Sequence, residues 1–421
     1  MNKWNLYSPD GMQDVLGDNC YIKKRTEGRL REMYLLNGFS EIETPMVEYY
    51  DVFDSAGSES ALKSMYKMVD EKGRILTMRP DMTIPAARAA ATKITDGKFP
   101  AKLFYCGRCF RSDIKGGGKQ REFTESGVEI IGSADPFYDA LVINMAVRAM
   151  KTAGIEEFII ELGQVDFTER LMELSGLEGS ELDLLAKLID SKDFFGVEEL
   201  LVGKPVEDNI RKLLLDLPNL YGKAEMLEGV RSRISDKRLM AAIDALIEIL
   251  SIIEDFGVSE YISVDLGMVK RIDYYTGIIF RGLTYGMGFP VLGGGRYDNL
   301  CSSFNKELPA TGFSITIDLA LAALYRNGVI SAGRGRGGTL VSFRAGERSE
   351  AITVSEALKE QGIATELYPL PGTEDEDLVY AREWGLDGIV RVLGDGLVET
   401  MDIGTGSITK GEIDSLKGGT I

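Results

Sequence analysis

Apolar residues along this chain change spacing several times, and each change marks an element. Ile22, Leu30, Met33 and Tyr34 recur at helical intervals behind Asp18 and Asn19, which can cap a helix start, and Gly38 ends the run. Residues 39–42 then read as a strand before Pro45. Residues 102–111 and 121–132 are strand-like and flank the run 115–120 (Lys-Gly-Gly-Gly-Lys-Gln), which predicts a long hairpin around a glycine-rich loop. From about 137 to 257 the spacing is helical. Leu182, Leu185, Leu188 and Ile189 form one stripe, Ile243, Leu246, Leu250 and Ile253 another, and Gly203, Pro205 and Pro218 divide the stretch into short helices. Strand character returns at 262–266, 274–280 and 289–292, and residues 309–327 pass from a strand into an Ala- and Leu-rich helix.

The glycine-rich run at about 329–338 predicts a linker between domains at 1–328 and 339–421. Beyond it, strand-like 339–343, 364–368 and 388–392 alternate with helical 350–361 and 377–384. That alternation predicts a small α/β domain with a largely parallel sheet.

Composition narrows the class. With 44% hydrophobic and 27% charged residues over 421 positions, the chain reads as globular and soluble. No stretch approaches the roughly 20 apolar residues that span a bilayer, and the start lacks a secretory apolar run. A cytoplasmic protein without membrane partners is expected. The net charge of −18 repels polyanions, so nucleic acid is not an expected partner.

The chain contains no histidine. Imidazole general acid–base chemistry and the commonest metal ligand are therefore absent. Cys106 and Cys109 have the spacing of a zinc pair, but no second pair or histidine completes four ligands. On a strand, positions three apart also point to opposite faces. Neither a metal site nor a cofactor follows from these residues.

Four segments carry the candidate chemistry: 78–88 with Arg-Pro-Asp-Met-Thr at 79–83, Phe110-Arg-Ser-Asp113 with 121–129, Asp-Tyr-Tyr-Thr-Gly at 273–277, and Gly-Gly-Arg-Tyr-Asp at 294–298. Together, in this order and behind the opening 9–16, they resemble the catalytic core of histidyl-tRNA synthetase, a class II aminoacyl-tRNA synthetase. The resemblance covers roughly residues 5–330. It implies an α+β fold: an antiparallel sheet flanked by helices, a helical insertion at about 165–257, and a C-terminal α/β domain like an anticodon-binding domain.

That family activates histidine with ATP, using two arginines because a triphosphate transition state needs fixed positive charge. The first corresponds to Arg111, with Asp113 in place of the partner glutamate. In the segment resembling the motif of the second, Thr316 replaces a glycine and Leu319 the arginine. A third family arginine aligns with Lys270, and Arg271 stands beside it. Leucine cannot hold a phosphate, so the resemblance implies a degenerate nucleotide site at Asp113, Thr316 and Leu319 and no catalytic residue. Residues 341–421 hold 7 Lys+Arg against 16 Asp+Glu, the wrong sign for gripping RNA. The acidic run 374–377 reads as a solvated helix start.

The amino-acid pocket is better kept. By resemblance it comprises Asp81, Thr83, Arg111, Glu125, Glu129, Lys270, Arg271, Tyr274 and Tyr275, with Asp81 replacing a glutamate and Glu125 a glutamine. Acidic groups suit an α-ammonium and an imidazole N–H. A synthetase core without synthetase chemistry is similar to a paralogous family, the regulatory subunits of ATP phosphoribosyltransferase; the Arg-Pro-Asp-Met-Thr run and the Gly-Phe-Ser run at 312–314 fit that family. The resemblance implies a non-catalytic subunit that joins a short-form catalytic subunit in the first step of histidine biosynthesis and confers feedback by L-histidine. It also implies a homodimer within a hetero-oligomer. A divergent histidyl-tRNA synthetase and a free-standing histidine sensor are the alternatives. A chain without His codons would also escape stalling when charged histidyl-tRNA is scarce.

Overall fold

The computed structural model describes residues 4–56, 62–94, 97–112, 120–269, 274–330, 337–369 and 375–416. Asp113, Lys270, Arg271 and most of the expected linker lie outside these residues. The chain divides into two compact units, Met1–Asp14 with Lys23–Val329, and Val15–Ile22 with Ile330–Ile421.

The first unit is organised by a nine-stranded sheet. Its order is Ser40–Glu41, Ala101–Phe110, Glu122–Ile131, Ala310–Thr316, Leu292–Arg296, Ile278–Thr284, Phe158–Gln164, Ile262–Asp265 and Tyr221–Gly222. The six strands from Ala101–Phe110 to Phe158–Gln164 pair antiparallel. Parallel pairing enters where Ser40–Glu41 joins Ala101–Phe110 and where Ile262–Asp265 joins Phe158–Gln164. The expected hairpin forms, with Ala101 opposite Ile131 and Phe110 opposite Glu122.

Three expectations are corrected. The helical reading of 137–257 missed Phe158–Gln164, a strand inside the main sheet. It is a short apolar run directly after the helix Pro136–Ala153, and periodicity alone does not separate a buried strand from a buried helix. The strand placed at 274–280 is Ile278–Thr284, so Tyr274 and Tyr275 precede it. The strand placed at 289–292 is Leu292–Arg296 and contains the glycine triplet. A Cβ at Gly294 would meet the Gly312 carbonyl at 2.4 Å and the Phe280 ring at 2.5 Å, so close packing, not turning, requires glycine there.

Pleating gives the sheet two different faces. On one, Phe104 and Phe313 pack against Tyr34 of the helix Gly17–Leu36, with ring centroids 5.3 and 6.5 Å from it. Arg296, from the adjoining strand, is tied to Asp139 of the helix Pro136–Ala153. That helix is capped by Asp135 at its start and by Gly154, at φ 96°, at its end. The other face carries Leu103, Tyr105 and Cys109 beneath the helix Thr83–Lys93, and it holds the site. Six α-helices from Val165–Leu174 to Lys237–Asp255 fill most of the stretch between Gln164 and Phe256, with the 3-10 turn Leu217–Asn219 and the short strand Tyr221–Gly222 between the fourth and the fifth.

The second unit has a five-stranded sheet in the order Thr365–Pro369, Thr339–Phe343, Gly388–Gly394, Leu397–Asp402, Ile408–Glu412. The first three strands are parallel, as expected. The last two are antiparallel and were not expected. Asp377, read as part of a solvated helix start, is instead fully buried. It accepts hydrogen bonds from Ser342 (2.9 Å) and Arg391 (2.7 Å) inside the unit.

Candidate functional site

The site is built on the face that bears Glu129. Direct pairing places Leu103, Glu129, Gly312, Gly295 and Ile279 in one row across five strands. Two residues along lies the row Tyr105, Gly127, Ser314, Gly293 and Arg281, and beyond it Gly107, Glu125 and Thr316. Residues two apart on a strand share a face, so the floor is largely glycine with a few polar side chains rising from it. Glycine is required at Gly127, where a Cβ would lie 2.1 Å from the Phe313 carbonyl oxygen, and also at Gly312 and Gly295. A Cβ on Gly312 would lie 1.7 Å from Glu129 Oε2, and one on Gly295 would lie 2.9 Å from the Tyr275 ring.

Glu129 is completely buried. Tyr105 donates to its Oε1 at 2.9 Å, and Tyr297 donates to Oε2. Glu125, also buried, faces Arg111 at 3.5 Å and accepts from the Cys109 thiol at 3.6 Å. Burial pushes both carboxyls up to about 7, and nearby Asp81 adds to the rise. Arg111 opposes the shift at Glu125, as the phenol donors do at Glu129.

Asp81 opens the helix Thr83–Lys93 by accepting the Ile84 N–H at 3.0 Å. Burial raises its carboxyl as well, against that backbone bond and Arg111. Arg79, two residues before it, donates to the carbonyls of Thr44, Pro45 and Arg108, which fastens the run to the sheet. Arg111 donates to the Pro80 carbonyl at 2.8 Å and lies over the Phe123 ring. Tyr274 packs edge-on to Tyr275 and to Tyr297, at 5.2 and 5.7 Å.

The structure therefore brings Asp81, Thr83, Arg111, Glu125, Glu129, Tyr274 and Tyr275 together. Lys270, Arg271 and Asp113 lie outside the described residues. Thr316 stands directly opposite Glu125 at the site's edge, and Leu319 is half-buried on the helix Ile317–Arg326. Sequence reasoning missed Tyr105, Tyr297, Gly312 and Cys109 as parts of the site. Tyr297 lay within a quoted motif, but its partner Glu129 is distant in sequence and only strand register joins them.

Chemically, Glu125 and Asp81 face the Arg111 guanidinium, Glu129 lies beside them under its phenol donors, and aromatic rings wall the site. Such a site has surplus acceptors and favours a small ligand bearing cationic or N–H donor groups.

The fold is that of a class II, histidyl-tRNA synthetase-like protein. The histidyl-tRNA synthetase family model matches residues 11–319. A solved histidyl-tRNA synthetase from Nostoc sp. PCC 7120 shares the fold at TM-score 0.84 over 98% of both chains, at 17% identity. Sequence likeness points more narrowly. An ATP phosphoribosyltransferase regulatory subunit from Acetivibrio thermocellus is 43% identical over 416 residues, 99% of each chain. A solved ATP phosphoribosyltransferase regulatory subunit/histidyl-tRNA synthetase from Bacillus halodurans is 30% identical, with TM-score 0.80 over 92% of this chain and 98% of that one. The chain belongs to the ATP phosphoribosyltransferase regulatory subunit family, as its motifs led us to expect.

Proposed function

We propose that this chain is the non-catalytic partner of a short-form ATP phosphoribosyltransferase catalytic subunit. In that role it supports the first step of histidine biosynthesis and makes it responsive to L-histidine. The observation that carries the reading is an asymmetry within one site. The pocket of Asp81, Glu125, Glu129 and Tyr275 keeps its acidic and aromatic character, with Asp81 in place of a glutamate and Glu125 of a glutamine, while the positions facing a nucleotide in the synthetase hold Thr316 and Leu319. An α-ammonium and an imidazole N–H match the surplus acceptors, and Arg111 supplies positive charge for a carboxylate. Without the second arginine, ATP activation has lost a charge-assisted contact. The acidic C-terminal unit gives no electrostatic support to tRNA binding.

Feedback follows if histidine binds the inhibited assembly more tightly than the active one. The chain acts in the cytoplasm, as a homodimer within the hetero-oligomer. The test mixes the purified chain with a short-form catalytic subunit and measures phosphoribosyl-ATP formation with and without L-histidine. Activation by the chain and inhibition by histidine are expected. Their joint absence rejects the reading.

A further inference from the structure

At its first edge the nine-stranded sheet comes apart. The strands Ser40–Glu41 and Ala101–Phe110 pair only at Ser40 with Leu103 and at Glu41 with Phe104. Before those residues the two segments diverge and leave a pocket of about 540 Å³, with Gly38 and Ser40 on one wall and residues 100–103 on the other. Across this edge the Phe104 carbonyl accepts the Ile42 N–H at 2.9 Å. Backbone groups two residues apart on a strand point the same way, so the Lys102 N–H is aimed at the same edge. The register ends one residue too soon to give it a strand partner, because a bond to the Gly38 carbonyl would pair Phe39 with Lys102. A backbone donor is therefore left open toward the pocket.

The side chains around it carry one sign. Three of the nine lining residues are lysines, Lys93, Lys98 and Lys102, in a chain whose net charge is −18. Among the described residues, no aspartate or glutamate lines the pocket and none of the three lysines makes an ion pair. Lys93 closes the helix Thr83–Lys93, where a cation suits the helix dipole, and the Lys102 ammonium lies 5.9 Å from the Tyr138 ring. Neither contact removes positive charge. Lys306 stands behind the same wall and donates to the Ile94 carbonyl at 3.1 Å. A concave site lined by one sign of charge concentrates its field and draws in small ions of the opposite sign.

We propose that this fork is a binding site for a small phosphate-bearing anion, held by Lys93, Lys98 and Lys102 and by the Lys102 N–H. Three ammonium groups balance the roughly two or three negative charges of a phosphate or pyrophosphate better than the single charge of a carboxylate. The volume suits a small molecule, which occupies pockets of roughly 300–1,000 Å³. Nucleic acid needs a longer stripe of cations than three lysines provide on a chain this acidic. The fork shares only Leu103 with the floor row of Glu129, and no candidate residue of the histidine pocket lines it.

The experiment titrates the full-length chain by calorimetry with inorganic pyrophosphate, with inorganic phosphate and with ribose 5-phosphate. Wild type is compared with Lys98→Glu, with the double variant Lys93→Gln and Lys98→Gln, and with Lys187→Glu, each checked for folding by thermal melt. Lys187 is exposed on the helix Ser180–Asp190, and its reversal changes the net charge as much as Lys98→Glu does. Pyrophosphate should bind wild type and Lys187→Glu within about 2-fold of each other. Each fork variant should bind it about 10-fold more weakly or worse, the loss of a charge-assisted hydrogen bond. Raising the salt from about 50 to about 300 mM should weaken wild type more than the fork variants, which have less charge to screen. Tighter binding of the inorganic anions marks a free ion as the ligand, and tighter binding of ribose 5-phosphate marks a phosphorylated metabolite; both support the site. Two results overturn it. One is that wild type binds none of the three probes. The other is binding that Lys98→Glu and the double variant leave within about 2-fold of wild type, which puts the anion elsewhere, as at Arg111.

Discussion

Glu129 and Gly312 face each other across neighbouring strands, and a Cβ on Gly312 would stand 1.7 Å from Glu129 Oε2 and 2.6 Å from the Val128 carbonyl oxygen. The second contact is with backbone, so the clash cannot be relieved by moving a side chain. Gly312→Ala should destabilise the chain by about 1–3 kcal/mol or more, the usual cost of overpacking a core. Gly293, two residues before Gly295 on the strand Leu292–Arg296, is the control. Its Cβ would meet nothing nearer than 3.9 Å. Gly293→Ala should change stability by no more than about 0.5 kcal/mol, as at an unconstrained position. Urea unfolding of the two variants beside wild type measures the contrast.

Glu125 and Glu129 each lie at about 7, above the ordinary glutamate value of 4.5, mainly through burial. The sign follows from proton binding. Between those values the folded chain holds protons that the unfolded chain has released, so stability falls as pH rises. The full contribution is present below pH 4.5 and is lost as pH climbs through about 7. Glu129→Gln removes one of the two groups. Relative to wild type, this variant should gain stability by a few kcal/mol between pH 5 and pH 8, at about 1.4 kcal/mol for each tenfold difference in proton affinity between the folded and unfolded chain. Chemical denaturation at the two pH values reads the change, and a gap independent of pH would show that Glu129 titrates normally.

The hairpin was legible because two ten-residue strands flank a glycine run, and that arrangement has few other solutions. The pocket carboxylates were legible because they sit in ordered motifs, not because spacing places them on one face. Phe158–Gln164 was hidden by its neighbour, a helix apolar on nearly every side, next to which a short apolar run looks like more helix. Leu397–Asp402 and Ile408–Glu412 were hidden for the opposite reason. Most of their residues are only half-buried or exposed, which leaves a weak hydrophobic signal. Tyr297 and Gly312 joined the site only through register between distant strands, which no local pattern encodes.

The arginine of the Gly-Gly-Arg-Tyr-Asp run turns away from the site. Arg296 Nε and Nη2 donate to Asp139 Oδ2 at 2.9 and 2.8 Å, and Nη1 donates to Asp298 at 3.0 Å. Arg296 and Asp139 are both buried, so removing the carboxylate strands a charge. Asp139→Ala should destabilise the chain by about 3–5 kcal/mol, and Asp139→Asn by less, since an amide oxygen still accepts. Because Arg296 and Tyr297 point to opposite faces, the histidine affinity of Asp139→Asn should stay within about 2-fold of wild type, a difference below 0.5 kcal/mol. Thermal melts and calorimetric titration separate the two effects.

Leu319 lies on the helix Ile317–Arg326 beside Asp318, which accepts from Lys23 Nζ at 2.6 Å and from the Thr124 N–H at 2.6 Å. Those bonds anchor the helix start to the strand that bears Glu125 and Glu129, so the backbone at position 319 is already fixed. What it lacks is charge. Arg111 does not stand in for it, because it corresponds to the first of the family's two arginines and is placed by the Pro80 carbonyl and Glu125. Wild type should therefore show no histidine-dependent ATP–pyrophosphate exchange above background. Leu319 is half-buried, so an arginine there can extend outward without entering the core. Leu319→Arg should tighten ATP binding by about 10- to 100-fold, the equivalent of one charge-assisted hydrogen bond worth 1.5–3 kcal/mol. Exchange should stay low even so, because Thr316 still holds a side chain opposite Glu125. Isothermal titration with ATP and a radiolabelled exchange assay test the two halves separately. Robust exchange by wild type would show that the nucleotide site functions without its second arginine.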